Sequence, residues 1–397
     1  MIHLRFLKLC QLAALGVFTA AWLSPSVTGV AADPLEEARK DDNALLRELS
    51  LKIIDGALGD MREQMRGAAV TALKEMGGAD TVPLLEKALA DQSGLIRALA
   101  VEGLAREGQA AHSQRLRKLL QDPAALVREY VARALGESGE RKVIPVIEPL
   151  LKDDQPRVRA AAGAALVALG RPEALSLVLE ELKHPKPDER AEVLRVLGHL
   201  KDARVIPVIK AALTDRDAMV RATAAGILAD RKELSATSEI AALLKDPVPL
   251  VRGVAASSLS KLEGAKAAPL IEPLLAETVP AVRAEVAAAL LSFKPELANP
   301  VLHESIRSQD PGVRSAVGKA LGQTGSAVAL PYLLILLGDE TPRPRIAAIR
   351  ALGHVGTAKH ITILRPILGD PDVAVRATAA GAIGRLLNGP QKSYDRP

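Results

Sequence analysis

Metal ligation and proton transfer run most readily through imidazole, and beyond residue 32 this chain carries six histidines: His112, His184, His199, His303, His354 and His360. A bound metal needs three or more donors converging on one point. His199 and His354 stand far apart in the chain, and His303 is followed by Glu304 in a single His-Glu pair. The sole cysteine, Cys10, excludes a thiolate zinc site and a disulfide framework. A phosphate cradle needs glycines between a strand and a helix, whereas the glycines here fall at the ends of helical stretches. No pattern for nucleophilic catalysis is present. The residues that do recur in register are Asp and Arg.

Arginine returns every 31 residues, at Arg66, Arg97, Arg128, Arg159, Arg190, Arg221, Arg252, Arg283, Arg314, Arg345 and Arg376. Six residues earlier stands Asp60, Asp91, Asp122, Asp153, Asp215, Asp246, Asp339 or Asp370, with Glu277 in a ninth unit and His184 and Ser308 as exceptions. The residue just before the Arg is Met, Ile or Val except at Glu189 and Pro344, and the residue seven after it is Leu in every unit but the last, where it is Ile383. Each unit reads as two helices. The first is expected to start just after the Asp, with proline at or near its first position in Asp122-Pro123, Asp246-Pro247 and Asp370-Pro371, and to stop at Gly136 and Gly139 or Gly353 and Gly356. The second starts near Pro83, Pro145, Pro207, Pro269, Pro300 or Pro331 and shows apolar columns four residues apart, such as Ile147 with Leu151 and Val178 with Leu182.

A helix pair this short cannot cover its own apolar face, so neighbours must stack. The expectation is an all-α fold, an α-solenoid of about eleven helix-pair repeats over residues 60–387, extended to roughly 100 Å at ~8–10 Å per step. In such a stack His199 and His354, five units apart, cannot share a metal. Residues 33–59 form an N-terminal helical cap with Leu45, Leu46, Leu49, Ile53 and Ile54 inward, and 388–397 a disordered tail.

At the N-terminus His3, Arg5 and Lys8 precede an apolar run from Leu9 to Leu23, and small residues lead to Val30-Ala31-Ala32. This is the layout of a signal peptide over 1–32, cut after Ala32. The run is short for a span of about 20 residues; retention as an anchor is the alternative. The mature chain is then periplasmic or secreted, with no membrane span. Beyond the signal only Tyr130, Phe293, Tyr332 and Tyr394 are aromatic, too few to stack on single-stranded nucleic acid. The 52 basic and 47 acidic residues are interspersed without a Lys/Arg run, so no nucleic-acid face is expected.

The stretch Asp-Pro-Ala-Ala-Leu-Val-Arg-Glu-Tyr-Val-Ala-Arg-Ala-Leu-Gly-Glu-Ser-Gly (122–139), followed by Val143-Ile144-Pro145 and Leu150-Leu151, resembles the HEAT repeat in its short bacterial, phycobilisome-lyase-like form. The resemblance covers nearly all of the mature chain. It implies a right-handed superhelix with the Val-Arg helices on the concave side, and a structural ladder linking successive repeats. That ladder maps onto Asp91, Arg97, Asp122 with Arg128, Asp153 with Arg159, Asp215, Arg221, Asp246, Arg252, Asp370 and Arg376. It should weaken at His184, Ser308 and Pro344, the candidate joints. Similar deoxyhypusine hydroxylases hold iron through several His-Glu pairs, and one pair here argues against metal or any other cofactor. Chromophore attachment is intracellular work, so the lyase name is not read as an activity.

Comparing the units with one another, the columns two, five and nine residues after the Arg vary freely, as exposed positions do. They give two basic clusters: Arg133 with Arg195 beside Tyr130 and His199, and Lys319 with Arg350 beside His354. The function expected is a non-enzymatic exported scaffold that binds a protein or peptide along its concave face. The alternatives are an enzyme or accessory subunit of the lyase or hydroxylase type, and a structural spacer in the envelope.

Overall fold

The computed structural model describes residues 34–108 and 113–389. The signal segment, His112, Tyr394 and the chain after Gly389 lie outside the described residues. Within them every regular element is helical. Helix α1 (Pro34–Leu58) crosses a boundary at Asn43/Ala44, and the repeats belong to the unit that begins at Ala44. The helices bearing the repeat arginine are α2 (Glu63–Met76), α3 (Gly94–Arg106), α4 (Ala125–Glu137), α5 (Pro156–Ala168), α6 (Pro187–His199), α7 (Ala218–Asp230), α8 (Pro249–Glu263), α9 (Pro280–Leu290), α10 (Pro311–Gln323), α11 (Pro342–Val355) and α12 (Val373–Leu387).

The local chemistry differs from the sequence expectation in three ways. The Asp lies further out than a capping position. Its carboxylate accepts the amide two residues on, as Asp122 does from Ala124 at 2.8 Å, and the helix begins one residue later. The prolines Pro123, Pro247 and Pro371 therefore sit outside the helices, while Pro156, Pro187, Pro249, Pro280, Pro311 and Pro342 take the first helical position. Secondly, Gly136 and Gly353 are inside α4 and α11, not stops. A Cβ on Gly136 would sit 2.6 Å from the Cα and Cβ of Ala165, so this glycine lets neighbouring helices touch. Gly139, at φ +69°, is the true terminator of its unit. Thirdly, the second helices are short, and where Pro149, Pro273 or Pro366 interrupts them they tighten into 3₁₀ turns. In the first of these the step shortens to three, so Leu150 joins Ile147 as a buried residue and Leu151 packs beside them only partly buried.

In α1 the inward face is Leu46, Ser50, Ile54, Ala57 and Leu58, while Leu45 and Leu49 are exposed. The aliphatic column seven residues after the Arg is buried in every repeat, from Leu73 to Ile383. Successive arginine helices pack directly on one another, whereas the short helices pack chiefly on the arginine helices beside them. The arginine helices thus take the tighter, inner radius.

The elongated stack is not what forms, because the two ends of the solenoid meet. Helix α12 packs on α2 as extensively as any two consecutive helices pack. One apolar cluster draws Leu46, Ile54, Leu73 and Met76 from the start of the unit together with Leu352, Val375, Ile383 and Leu386 from its end. Gly381 lies against Ala72, and Gly384 against Met76. Arg47 of α1, anchored on its own side by Asp80 at 2.6 Å and the Gly77 carbonyl, reaches across this seam to the Gly384 carbonyl at 3.4 Å and to Asn388 at 2.9 Å, while the Asn388 amide donates to the Met76 carbonyl at 2.7 Å. Asn388, expected in a disordered tail, is part of this latch. The repeats close into a ring.

Candidate functional site: the ladder and the ring interior

The ladder runs between repeats. Each arginine reaches forward to the acid of the next unit and back to the carbonyls of its own. Arg128 donates to both Asp153 oxygens at 2.8 Å and to the Asp122 carbonyl at 2.9 Å. The same bidentate forward pairing joins Arg66–Asp91, Arg97–Asp122, Arg190–Asp215, Arg221–Asp246, Arg252–Glu277 and Arg314–Asp339. Arg345 reaches Asp370 through one nitrogen at 2.9 Å. Burial raises the Asp91, Asp122 and Asp153 carboxyls, but the guanidinium and amide bonds outweigh it and hold them below the usual range. The two joints expected at His184 and Ser308 are closed by acids from the preceding helix: Arg159 pairs with Glu181 at 2.6 and 2.9 Å, and Arg283 with Glu304 at 2.8 Å. Glu304 is therefore a ladder member, and His303 packs its ring on Tyr332 with centroids 5.2 Å apart. Among the described residues Arg376, last in the array, donates only to the Asp370 and Pro371 carbonyls.

The variable columns face the interior. Tyr130, Arg133 and His199 line one cavity of about 120 Å³ together with Glu102, Arg106 and Glu137, from α3, α4 and α6. Arg133 stacks over the Tyr130 ring, 4.4 Å from its centroid. Arg195 does not line this cavity; it is exposed and bonded to Glu192 at 2.6 Å. Arg350 lies 3.3 Å from Glu75 across the seam, and Lys319 is exposed with no hydrogen bond or ion pair to a described residue. Closure links the two expected clusters through Arg106, which lines the first cavity and whose charge also reaches His354. The residues missed in the sequence are Lys74, Glu75, Arg106 and Arg385. Lys74, Glu75 and Arg106 come from the first two repeats, and closure brings Arg385 of the last repeat beside them.

This side of the interior is short of negative charge. Burial pushes Lys74 below the lysine range, with Glu102 paired to it at 2.5 Å pulling the other way. Burial likewise lowers Arg385, whose one counter-charge is Glu75. His354 is lowered by burial and by Arg385, Arg106 and Arg350, and His199 by burial and Arg133. The Nε of Arg350 is buried without a hydrogen bond. Among the described residues no group of three His, Cys, Asp or Glu could hold a metal ion.

The family model for HEAT repeats matches residues 50–129, 113–182, 176–260, 209–290, 267–345 and 333–395. This chain belongs to the HEAT-repeat family. Solved structures similar to this HEAT array include the complex of CpcE and CpcF of phycocyanin lyase from Nostoc, 19% identical, covering 64% of this chain and 100% of that one at a TM-score of 0.40. Human deoxyhypusine hydroxylase is 19% identical over 64% of this chain and 98% of its own, at a TM-score of 0.33. An engineered protein is 18% identical over 86% and 99%, at a TM-score of 0.29. No curated protein matches this HEAT-repeat chain in sequence. None of its described helices is long and apolar enough to cross a membrane.

Proposed function

We propose that the chain is an exported, non-catalytic HEAT-repeat scaffold that takes an acidic stretch of a protein or peptide partner into the cationic side of its ring. The observation that carries this reading is Arg385. Its guanidinium is half-buried, makes no hydrogen bond to a described residue, and lies near Arg106. A buried cation without full pairing is costly, and a carboxylate from outside would complete the set while gaining charge-assisted bonds. Multi-point contact with a preformed surface also limits the ordering cost of binding. Export rests on the N-terminal sequence alone and is tested by fractionating cells for a processed chain.

The binding test is fluorescence anisotropy with a labelled Glu-rich decapeptide at low salt. The expected result is saturable binding that weakens as salt rises and falls by at least about tenfold in Arg385→Glu and Arg350→Glu. Equal binding by the variants would leave the ring as a spacer.

A further inference from the structure

A second cavity opens on the ring interior between α7, α8, α9 and α10, with a volume of about 400 Å³, inside the range of small-ligand pockets. Three of its hydroxyls have already spent their protons. Ser257 has one proton to share between the Val254 carbonyl at 3.1 Å and Glu285 at 3.2 Å, Ser260 donates to the Ala289 carbonyl at 2.9 Å, and Thr324 donates to the Leu321 carbonyl at 2.7 Å. What these groups can still offer is lone pairs. The cavity's one cation, Lys261, is held by Asp230 at 2.6 Å. Glu285 is left with a carboxylate that no described Lys, Arg or His approaches within ion-pair distance. Burial pushes its pKa up and only the Ser257 hydroxyl opposes this. The rest of the wall is apolar, from Val254, Ala289, Ala320 and Phe293.

We infer that this cavity binds a small primary alkylamine, its ammonium on Glu285 and the Ser257 and Thr324 oxygens, its methylenes on the apolar wall. A primary ammonium presents three donors, and the Glu285 carboxylate with the Ser257 and Thr324 oxygens supplies acceptors for them. A quaternary ammonium needs an aromatic cage, and Phe293 is the cavity's one aromatic residue. This site is separate from the cationic cluster and does not depend on the scaffold reading.

Isothermal titration of the full chain with 1,5-diaminopentane at low ionic strength tests it, with the neutral N,N′-diacetyl derivative as control. Saturable binding of the diamine alone is expected, weakened at least about tenfold in Glu285→Gln, whose amide oxygen still accepts from Ser257. Gly226→Leu is the second variant. A Cβ there meets open space, and leucine is the better helix former, so the variant fills the cavity of a folded ring and should abolish binding. No saturable heat from the natural chain, undiminished binding by either variant, or binding confined to a lysine-containing pentapeptide would overturn the assignment.

Discussion

Glu129 occupies a column, one residue after the repeat Arg, that elsewhere holds Gly, Ala, Ser or Ile346. Only 1% of it is exposed, and neither carboxylate oxygen has a hydrogen-bond partner. Facing it are Glu192 on α6, Arg133 on its own helix, and Arg157 on α5 at 3.9 Å. Burial first, and the Glu192 charge second, push its pKa up to about 8 from 4.5, against the two arginines. The folded chain thus binds a proton that the unfolded chain releases between those values. Stability linked to this group is intact below pH 4.5, declines as the pH climbs, and is fully lost above about 8. Each pH unit is worth ~1.4 kcal/mol, so the loss by pH 7 is on the order of 3 kcal/mol for the isolated group. Glu129→Gln keeps the shape, donates to Glu192, and does not titrate. Urea melts of both chains from pH 4.5 to 8.5 should show near-equal stability at the acid end and a widening advantage for the variant, reaching about 2–3 kcal/mol at pH 7. The difference between the chains cancels the other titrating groups that the substitution leaves unperturbed. A gap that does not change with pH would refute the reasoning.

Glu181→Gln should cost roughly 1.5–3 kcal/mol, nearer the lower figure because Arg159 is partly exposed, since it strips the charge from the acid that replaces the missing Asp; a urea-melt loss under about 0.5 kcal/mol would mean that the ladder gains nothing from Glu181. Leu135→Ala, at a site 1% exposed, should cost ~2–5 kcal/mol through its cavity, read from the same melts. Gly384→Leu drives a side chain into Met76 and should spring the ring open, raising the radius of gyration in small-angle scattering while helical circular dichroism persists. An unchanged radius would contradict the seam.

The repeat length, the helix pairs and the buried columns were legible because they are local: a 3.6-residue period and a 31-residue recurrence both appear within a short window. Closure was not legible. Whether a solenoid stays open depends on a small rotation per repeat, set by how closely inner helices approach, and glycines such as Gly136 and Gly353 that permit that approach read locally as helix stops. The same non-locality hid Arg385 and Glu75, which are distant in the chain and adjacent in the ring. Glu181 was missed because it sits three residues before His184, at the last residue of the preceding helix, where the spacing of the ladder acids does not point.

The seam shows how the ring accommodates the rise that an open solenoid would have. In ordinary steps the glycine eight residues after the Arg lies on the alanine six after the next, as with Gly136 on Ala165, Gly322 on Ala351 and Gly353 on Ala382. At the seam Gly384, also eight after its Arg, lies instead on Met76, ten after its own, and Gly381, five after, lies on Ala72, six after. The last helix therefore meets the first displaced by three or four residues, one helical turn, or about 5 Å. Spread over the steps of the array this is about half an ångström per repeat, too little to disturb any one ladder rung. At closure it accumulates in a single place. The rung that should join Arg376 to Asp60 does not form; Arg62 takes both Asp60 oxygens, and its hydrogen bonds hold that carboxyl down to about 2. Arg47 and Asn388 then hold by hydrogen bonds to carbonyls and side chains what the ladder holds elsewhere by ion pairs. Across the closure Glu75, nine after its Arg, lies against Arg350, five after its own and two repeats earlier, the same pair of columns that places His199 beside Arg133 inside the array. The cationic site thus owes its membership to closure, which brings the last repeats beside the first, and its column geometry to the repeat itself.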